Sequence, residues 1–112
     1  MTFEELQDKV LDWAGDKDLL HERNSDKQFM KFIEEVFEFK TELDCNNEFF
    51  KRELNVNIES VKLEFGDILV TLIILANQLN IDPVECLDLA YKKIKDRHGK
   101  TINGTFVKAE DL

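Results

Sequence analysis

The chain has 112 residues, 43% of them hydrophobic and 35% charged, and a net charge of −9. That size and balance indicate one globular domain over residues 1–112 with enough apolar material for a core, and the composition is not that of a disordered chain. A strongly acidic chain is a poor partner for nucleic-acid polymers or anionic membranes, because binding to either rests on neutralising phosphate.

One proline, four glycines and little strand-like alternation lean the fold to all-α. The start, "MTFEELQDKV", has neither the basic head nor the apolar core of a leader. The longest apolar run, "ILVTLIILA", is shorter than the ~20 residues a membrane span needs. Cys45 and Cys86 have no metal or redox spacing, so the expectation is a cytoplasmic protein with free thiols and no membrane partner.

The first helix is expected to start at Thr2, where Glu5 completes a capping box, and to run to about Leu20. Phe3, Leu6, Val10, Leu11 and Trp13 supply its apolar positions. "HERNSD" breaks it. Ser25 and Gln28 form a second capping box, and a second helix follows over about 26–45. Its apolar arc of Phe29, Met30, Phe32, Ile33, Val36, Phe37, Phe39 and Leu43 covers roughly half the circumference. Glu34, Glu35, Glu38 and Glu42 take the other half. "NNEFFKRELNVN" either continues this helix or forms a short one before a break at Asn55–Asn57.

A third helix is expected over about 58–80. Asp82, Pro83 and Glu85 then signal the start of a fourth, with a cap, a proline at the first position and an acid at the third. Val84, Leu87, Tyr91 and Ile94 form its expected buried stripe, and Gly99 its end. "TINGTFV" reads as an Asn-Gly hairpin or an extended tail. The expected architecture is a bundle of four to five helices with that short C-terminal addition. The apolar arcs are wide for so short a chain, which points to a homo-oligomer.

The third helix is apolar on nearly every side, so it is expected to be buried, yet it carries Glu64 and Asp67. At ~100° per residue these two share a stripe roughly 60° wide with Ser60, Thr71 and Gln78. A buried charge without a partner is very costly. A cation shared with acids of the second helix would meet that cost, and all-carboxylate ligation selects a hard ion, Mg²⁺ or Mn²⁺. Glu34, Glu35 and Glu38 are the acids available there; their plainer reading is a solvated acidic face relieved by Lys31 and Lys40, with Lys31–Glu35 an ordinary surface pair. Neither helix has the Glu-x-x-His motif of di-iron bundles. His21 and His98 read as surface residues at helix ends or in loops.

A basic block, "KKIKDRHGK" at 92–100, holds Lys92, Lys93, Lys95, Arg97 and Lys100, five of the fifteen Lys and Arg. In an acidic chain it suits a small phosphorylated ligand. Trp13, Phe29 and Tyr91 could stack on a base, although core positions are the plainer reading of all three.

"EEVFE" at 34–38 followed by "EFGD" at 64–67 resembles the E-E-x-x-E and E-x-x-D motifs of the MazG-like, all-α nucleoside triphosphate pyrophosphohydrolases. "LDWAGDKDLL", "KFIEEVFEFKTEL", "EFGDILVTLIILANQLNID" and "KKIKDRHGK" fall in that family's order, and "INGTFVK" is similar to its small phage and bacterial branch. The resemblance implies that Glu35, Glu38, Glu64 and Asp67 bind Mg²⁺, with Mn²⁺ a possible substitute. It makes Glu34 a water-orienting or general-base residue, matches Lys31 to the lysine before the double Glu, and assigns Lys93, Arg97 and Lys100 to the triphosphate. It implies cleavage of a (d)NTP to (d)NMP and pyrophosphate in nucleotide-pool control, by a homodimer or homotetramer. A dUTPase- or dCTPase-type hydrolase of a single nucleotide is an alternative. A non-catalytic helical oligomerisation or interaction protein is another. Phe37 stands where the family often has glycine, and Tyr91 where an asparagine contacting the nucleotide is common.

Overall fold

The computed structural model describes residues 1–53 and 58–112; within 46–53 the description covers the backbone alone. The described residues form four α-helices and one small antiparallel sheet. They divide into two compact units, Met1–Ile81 and Asp82–Leu112.

The first unit begins with α1, Phe3–Asp16. The Thr2 hydroxyl accepts the Glu5 N–H at 3.1 Å, satisfying one of the free donors of the first turn. Glu4 and Glu5 place negative charge at the positive end of the helix dipole. The helix stops four residues short of the expected Leu20. Asp18 adopts a left-handed backbone (φ 59°), and Leu19 N–H turns back to the Ala14 carbonyl at 2.9 Å. This is a Schellman closure with aspartate in the position glycine usually takes. His21 folds back onto the Asp18 carboxylate at 2.5 Å.

A single 3₁₀ turn, Glu22–Asn24, leads into α2, Ser25–Glu53. The open question over "NNEFFKRE" resolves as continuation, since the backbone stays helical through Glu53. The expected break at Asn55–Asn57 lies outside the described residues. The Ser25–Gln28 capping box is not the arrangement found. The Gln28 amide nitrogen instead donates across to the Thr71 carbonyl at 3.3 Å, tying α2 to a second helix.

α3 spans Ile58–Gln78 and packs along both α2 and α1. It ends in a second Schellman closure: Asn80 is left-handed (φ 57°), and Ile81 N–H reaches the Ala76 carbonyl at 2.9 Å. The buried apolar residues are Ala14 of α1 with Ile73, Ile74 and Ala76 of α3, so this core sits at the C-terminal half of α3. Gln78 is buried with them and donates its amide to the Leu19 carbonyl at 2.7 Å, tying the loop after α1 to α3. The expectation of a helix buried all round is corrected here. Leu63, Phe65, Leu69 and Leu72 are exposed, because α1 and α2 cover only part of the circumference.

The second unit is α4, Pro83–Lys95, followed by strands β1 (Gly99–Ile102) and β2 (Thr105–Lys108). Asp82 Oδ1 caps the Val84 N–H at 3.0 Å, and Pro83 occupies the first turn, as expected. The stripe of Val84, Leu87, Tyr91 and Ile94 is exposed, contrary to expectation. Gly99 does not end the helix either, because α4 closes at Lys95. Gly99 opens the hairpin, where a Cβ would overlap the Val107 carbonyl oxygen and come within 2.7 Å of the Phe106 ring. Asn103 and Gly104, both at positive φ, make the two-residue turn that Asn-Gly favours, and Gly99 pairs with Lys108.

No helix among the described residues is long and apolar enough to cross a membrane. Both cysteines are exposed free thiols.

Candidate metal centre

Along α2, Gln28, Glu35, Phe39 and Glu42 recur at the seven-, four- and three-residue steps that keep side chains on one helical face. Along α3, Thr71, Asp67, Glu64 and Ser60 recur at steps of four, three and four. The two stripes face each other in antiparallel register. Gln28 meets the Thr71 carbonyl at one end, Glu35 meets Glu64 and Asp67 in the middle, and the Phe39 ring packs edge-on against Phe65 at 5.6 Å beyond them. The 3,4 spacing that brings helices together elsewhere through apolar pairs here brings three carboxylates together.

Glu35, Glu64 and Asp67 each present an oxygen within 4.8 Å of the others. Glu35 is buried at 8% exposure, Glu64 is half-buried and Asp67 is exposed, so the cluster opens to solvent on its α3 side. Burial therefore falls on a different acid from the one expected. The sequence pointed to Glu64 and Asp67 as the buried charges and allowed Glu35 a place on a solvated face. α3 covers Glu35 because the Glu35 row is the face of α2 that packs against it.

Glu35 Oε2 and Glu64 Oε2 are both buried without a hydrogen-bond partner. A buried carboxylate oxygen in that state normally costs several kcal/mol, and a cation removes the cost. Glu38 is exposed beside Glu35 and interacts with it directly; it belongs to the cluster's edge and not to its three-oxygen centre. Repulsion from the Glu35 charge and a carboxyl–carboxylate hydrogen bond to Glu35 raise the Glu38 carboxyl above its ordinary value. Glu64 is also raised, first by burial and then by the charges of Asp67, Glu35 and Glu42. Both acids thus resist losing their protons while no cation balances them.

Lys31 pairs with this cluster from one turn upstream. Its Nζ lies 3.0 Å from Glu34 Oε2 and 3.3 Å from Glu35 Oε1, and these two hydrogen bonds raise it above its ordinary value. The Lys31–Glu35 pair is not the surface pair expected from spacing. The lysine side chain is 52% exposed, but that of Glu35 is only 10% exposed. Glu34 points to solvent at 62% exposure, next to the cluster and outside it.

The donor set fits a hard divalent cation. It offers oxygen alone, from three side chains on two helices, with two buried oxygens lacking partners. Glu42 was not singled out as a site residue, yet its charge acts on Glu64. Its place seven residues after Glu35 on the same stripe was the available signal.

Lys93 is on α4, Arg97 lies in the turn after it, and Lys100 is on β1, all in the second unit; Arg97 is half-buried and the lysines are exposed. Tyr91, Trp13 and Phe29 are exposed rather than core. Trp13 lines a groove of about 350 Å³ between α1 and α3 with Leu6, Lys9, Val10 and Val70. Val70 lies three residues along α3 from Asp67, so the groove begins about one turn from the carboxylates.

No family model, curated protein or solved structure matches this chain.

Proposed function

We propose that the α2–α3 cluster binds Mg²⁺ and that the chain is a nucleoside triphosphate pyrophosphohydrolase, cleaving the α–β phosphoanhydride of a (d)NTP. The observation that carries the cation is the pair of buried, unpartnered oxygens, Glu35 Oε2 and Glu64 Oε2, on two carboxylates that cluster with Asp67 across two helices. The motif resemblance to the MazG-like family supports the phosphate chemistry and a MazG-like bundle.

A bound Mg²⁺ would supply Lewis-acid polarisation of a phosphoryl oxygen and a more acidic water. Glu35, Glu64 and Asp67 would hold it, with Glu38 at the edge of the site. Glu34, exposed and adjacent, would orient or deprotonate a water, as the resemblance implies. Lys31, beside Glu34 and Glu35, would offer a positive charge to a phosphate oxygen. Lys93, Arg97 and Lys100 would bind the triphosphate and stabilise charge building on the pyrophosphate leaving group, as the resemblance implies. Tyr91 would take the place of a nucleotide-contacting asparagine.

The test is a (d)NTP panel with product identification. Nucleoside monophosphate and pyrophosphate are expected, with loss of both in Glu38→Ala and Asp67→Ala. Release of orthophosphate alone, or turnover surviving both substitutions, overturns the mechanism. A panel in which dUTP or dCTP alone is cleaved selects the single-nucleotide alternative.

A second reading, a helical oligomerisation protein, is favoured by a different observation. Phe29, Met30, Phe37, Leu63, Phe65, Leu69 and Leu72 leave wide apolar faces of α2 and α3 exposed. Self-association as a dimer or tetramer is compatible with both readings. Hydrolysis and a response to metal separate them.

A further inference from the structure

We propose that Lys31 is a built-in counter-cation of the carboxylate cluster, which a divalent cation displaces from Glu35 on binding. The inference rests on the cation-site reading above and concerns how that site is filled.

Glu35 Oε1 meets the Lys31 ammonium at 3.3 Å, Oε2 is buried without a hydrogen-bond partner, and the same carboxylate has an oxygen within 4.8 Å of oxygens of Glu64 and Asp67. Without a metal, the ammonium is the positive charge that offsets the buried carboxylate, and removing one member of such a pair is strongly destabilising. A divalent cation among the three carboxylates would bring like charge close to Lys31 Nζ. The lysine can leave at little cost. Its side chain is half-exposed on a long flexible stem, and Glu34 Oε2 already holds Nζ at 3.0 Å on the solvent side. Glu34 is thus the second berth of the exchange, retaining the ammonium when Glu35 turns to the metal.

Two consequences follow. Metal binding competes with an internal ion pair, so affinity is lower than the carboxylates alone would allow. The displaced ammonium then stands at the mouth of the site, free to meet an anionic ligand of the bound cation. Metal first and anion second becomes the favoured order.

The experiment is calorimetric titration of the full chain with Mn²⁺, for wild type, Lys31→Met, Lys31→Gln and Lys31→Arg. The neutral variants are expected to bind Mn²⁺ about tenfold more tightly, the size of one partly buried ion pair, while Lys31→Arg stays near wild type. Metal-free Lys31→Met is expected to melt below wild type. In the wild-type chain, acetylation of Lys31 read by peptide mass is expected to speed up at saturating Mn²⁺. Binding that is unchanged or weaker in both neutral variants, or Lys31 acetylation that is unchanged or slower with Mn²⁺, overturns the exchange while leaving the metal site standing. A wild-type chain that binds no Mn²⁺ overturns the metal site itself, and the exchange with it.

Discussion

Gln28 on α2 donates its side-chain amide to the main-chain carbonyl of Thr71 on α3 at 3.3 Å, seven residues before Glu35 on one helix and four after Asp67 on the other. The bond marks the antiparallel register that places Glu35 against Glu64 and Asp67. The Thr71 hydroxyl donates to the Ile68 carbonyl at 2.7 Å, so the acceptor lies in a turn of α3 reinforced by its own side chain. Gln28→Ala is expected to cost about 0.5–1.5 kcal/mol of stability, the ordinary worth of such a bond, and to weaken divalent-cation binding by loosening the facing helices. Chemical denaturation together with Mn²⁺ titration checks both parts. A variant with lowered stability but wild-type affinity would show that Gln28 has no part in positioning the carboxylates.

Saturating Mg²⁺ is expected to raise the melting temperature. At a hundredfold excess over Kd the gain is about 2.7 kcal/mol, on the order of 10 °C for a chain of this size. Asp67→Asn is expected to abolish that gain while leaving the metal-free protein as stable as wild type or more so, because it removes repulsion on Glu64. A thermal-shift scan with Mg²⁺, Mn²⁺ and chelator reads both. An equal Mg²⁺ gain in Asp67→Asn would remove this residue from the ligand set.

The raised carboxyls predict a pH dependence with a definite sign. Glu38, facing Glu35, Glu64 and Lys31, and Glu64, facing Asp67, Glu35 and Glu42, hold protons more tightly folded than unfolded. Their stabilising contribution is fully present below the ordinary carboxyl value near 4.5 and is lost as pH rises through their raised folded values. Lys31, raised above its ordinary value, contributes stability throughout that window and loses it only in strong alkali. In chelator, the melting temperature is therefore expected to fall as pH rises above the ordinary carboxyl value near 4.5, and the fall should shrink in Glu38→Gln/Glu64→Gln. Saturating Mg²⁺ should oppose the trend, since deprotonation favours the cation. A flat chelator profile in wild type would refute the coupling.

Gly99→Ala is expected to disrupt the hairpin, because the added methyl would overlap the Val107 carbonyl on the paired strand, a main-chain atom that cannot step aside. Loss of amide protection at Lys100 and Val107, a hydrogen-bonded pair of the ladder, with helical circular dichroism retained, is the expected signature. Wild-type protection in the variant would mean the strands separate there at little cost.

Self-association is expected from the exposed apolar faces of α2 and α3. Sedimentation should give a mass at least twice the 13.2 kDa of one chain, and Phe37→Glu or Leu63→Glu should lower it. A stable wild-type monomer at micromolar concentration would show that these faces tolerate water.

Local signals in the sequence were enough for the existence of the four helices and the hairpin turn, but not for where α1 ends or how Gln28 is used. Thr2, the Asp82–Pro83 pair and Asn103–Gly104 act through bonds within a few residues of themselves, and the structure places each as its local chemistry requires. The 3,4 spacing of Glu64, Asp67 and Thr71 likewise put them on one stripe before any partner was known. What depended on the tertiary structure was which acid is buried, how Gln28 is used and where the apolar faces end. Burial is a property of pairs of surfaces. Glu35 is covered because α3 lies against its row, whereas Leu63, on a more apolar helix, stays exposed because α1 and α2 cover only part of that helix's circumference. The ion pair of Lys31 follows the same logic: spacing sets its reach to Glu35, and only the packing of α3 turns that contact from a surface pair into the counter-charge of a buried carboxylate.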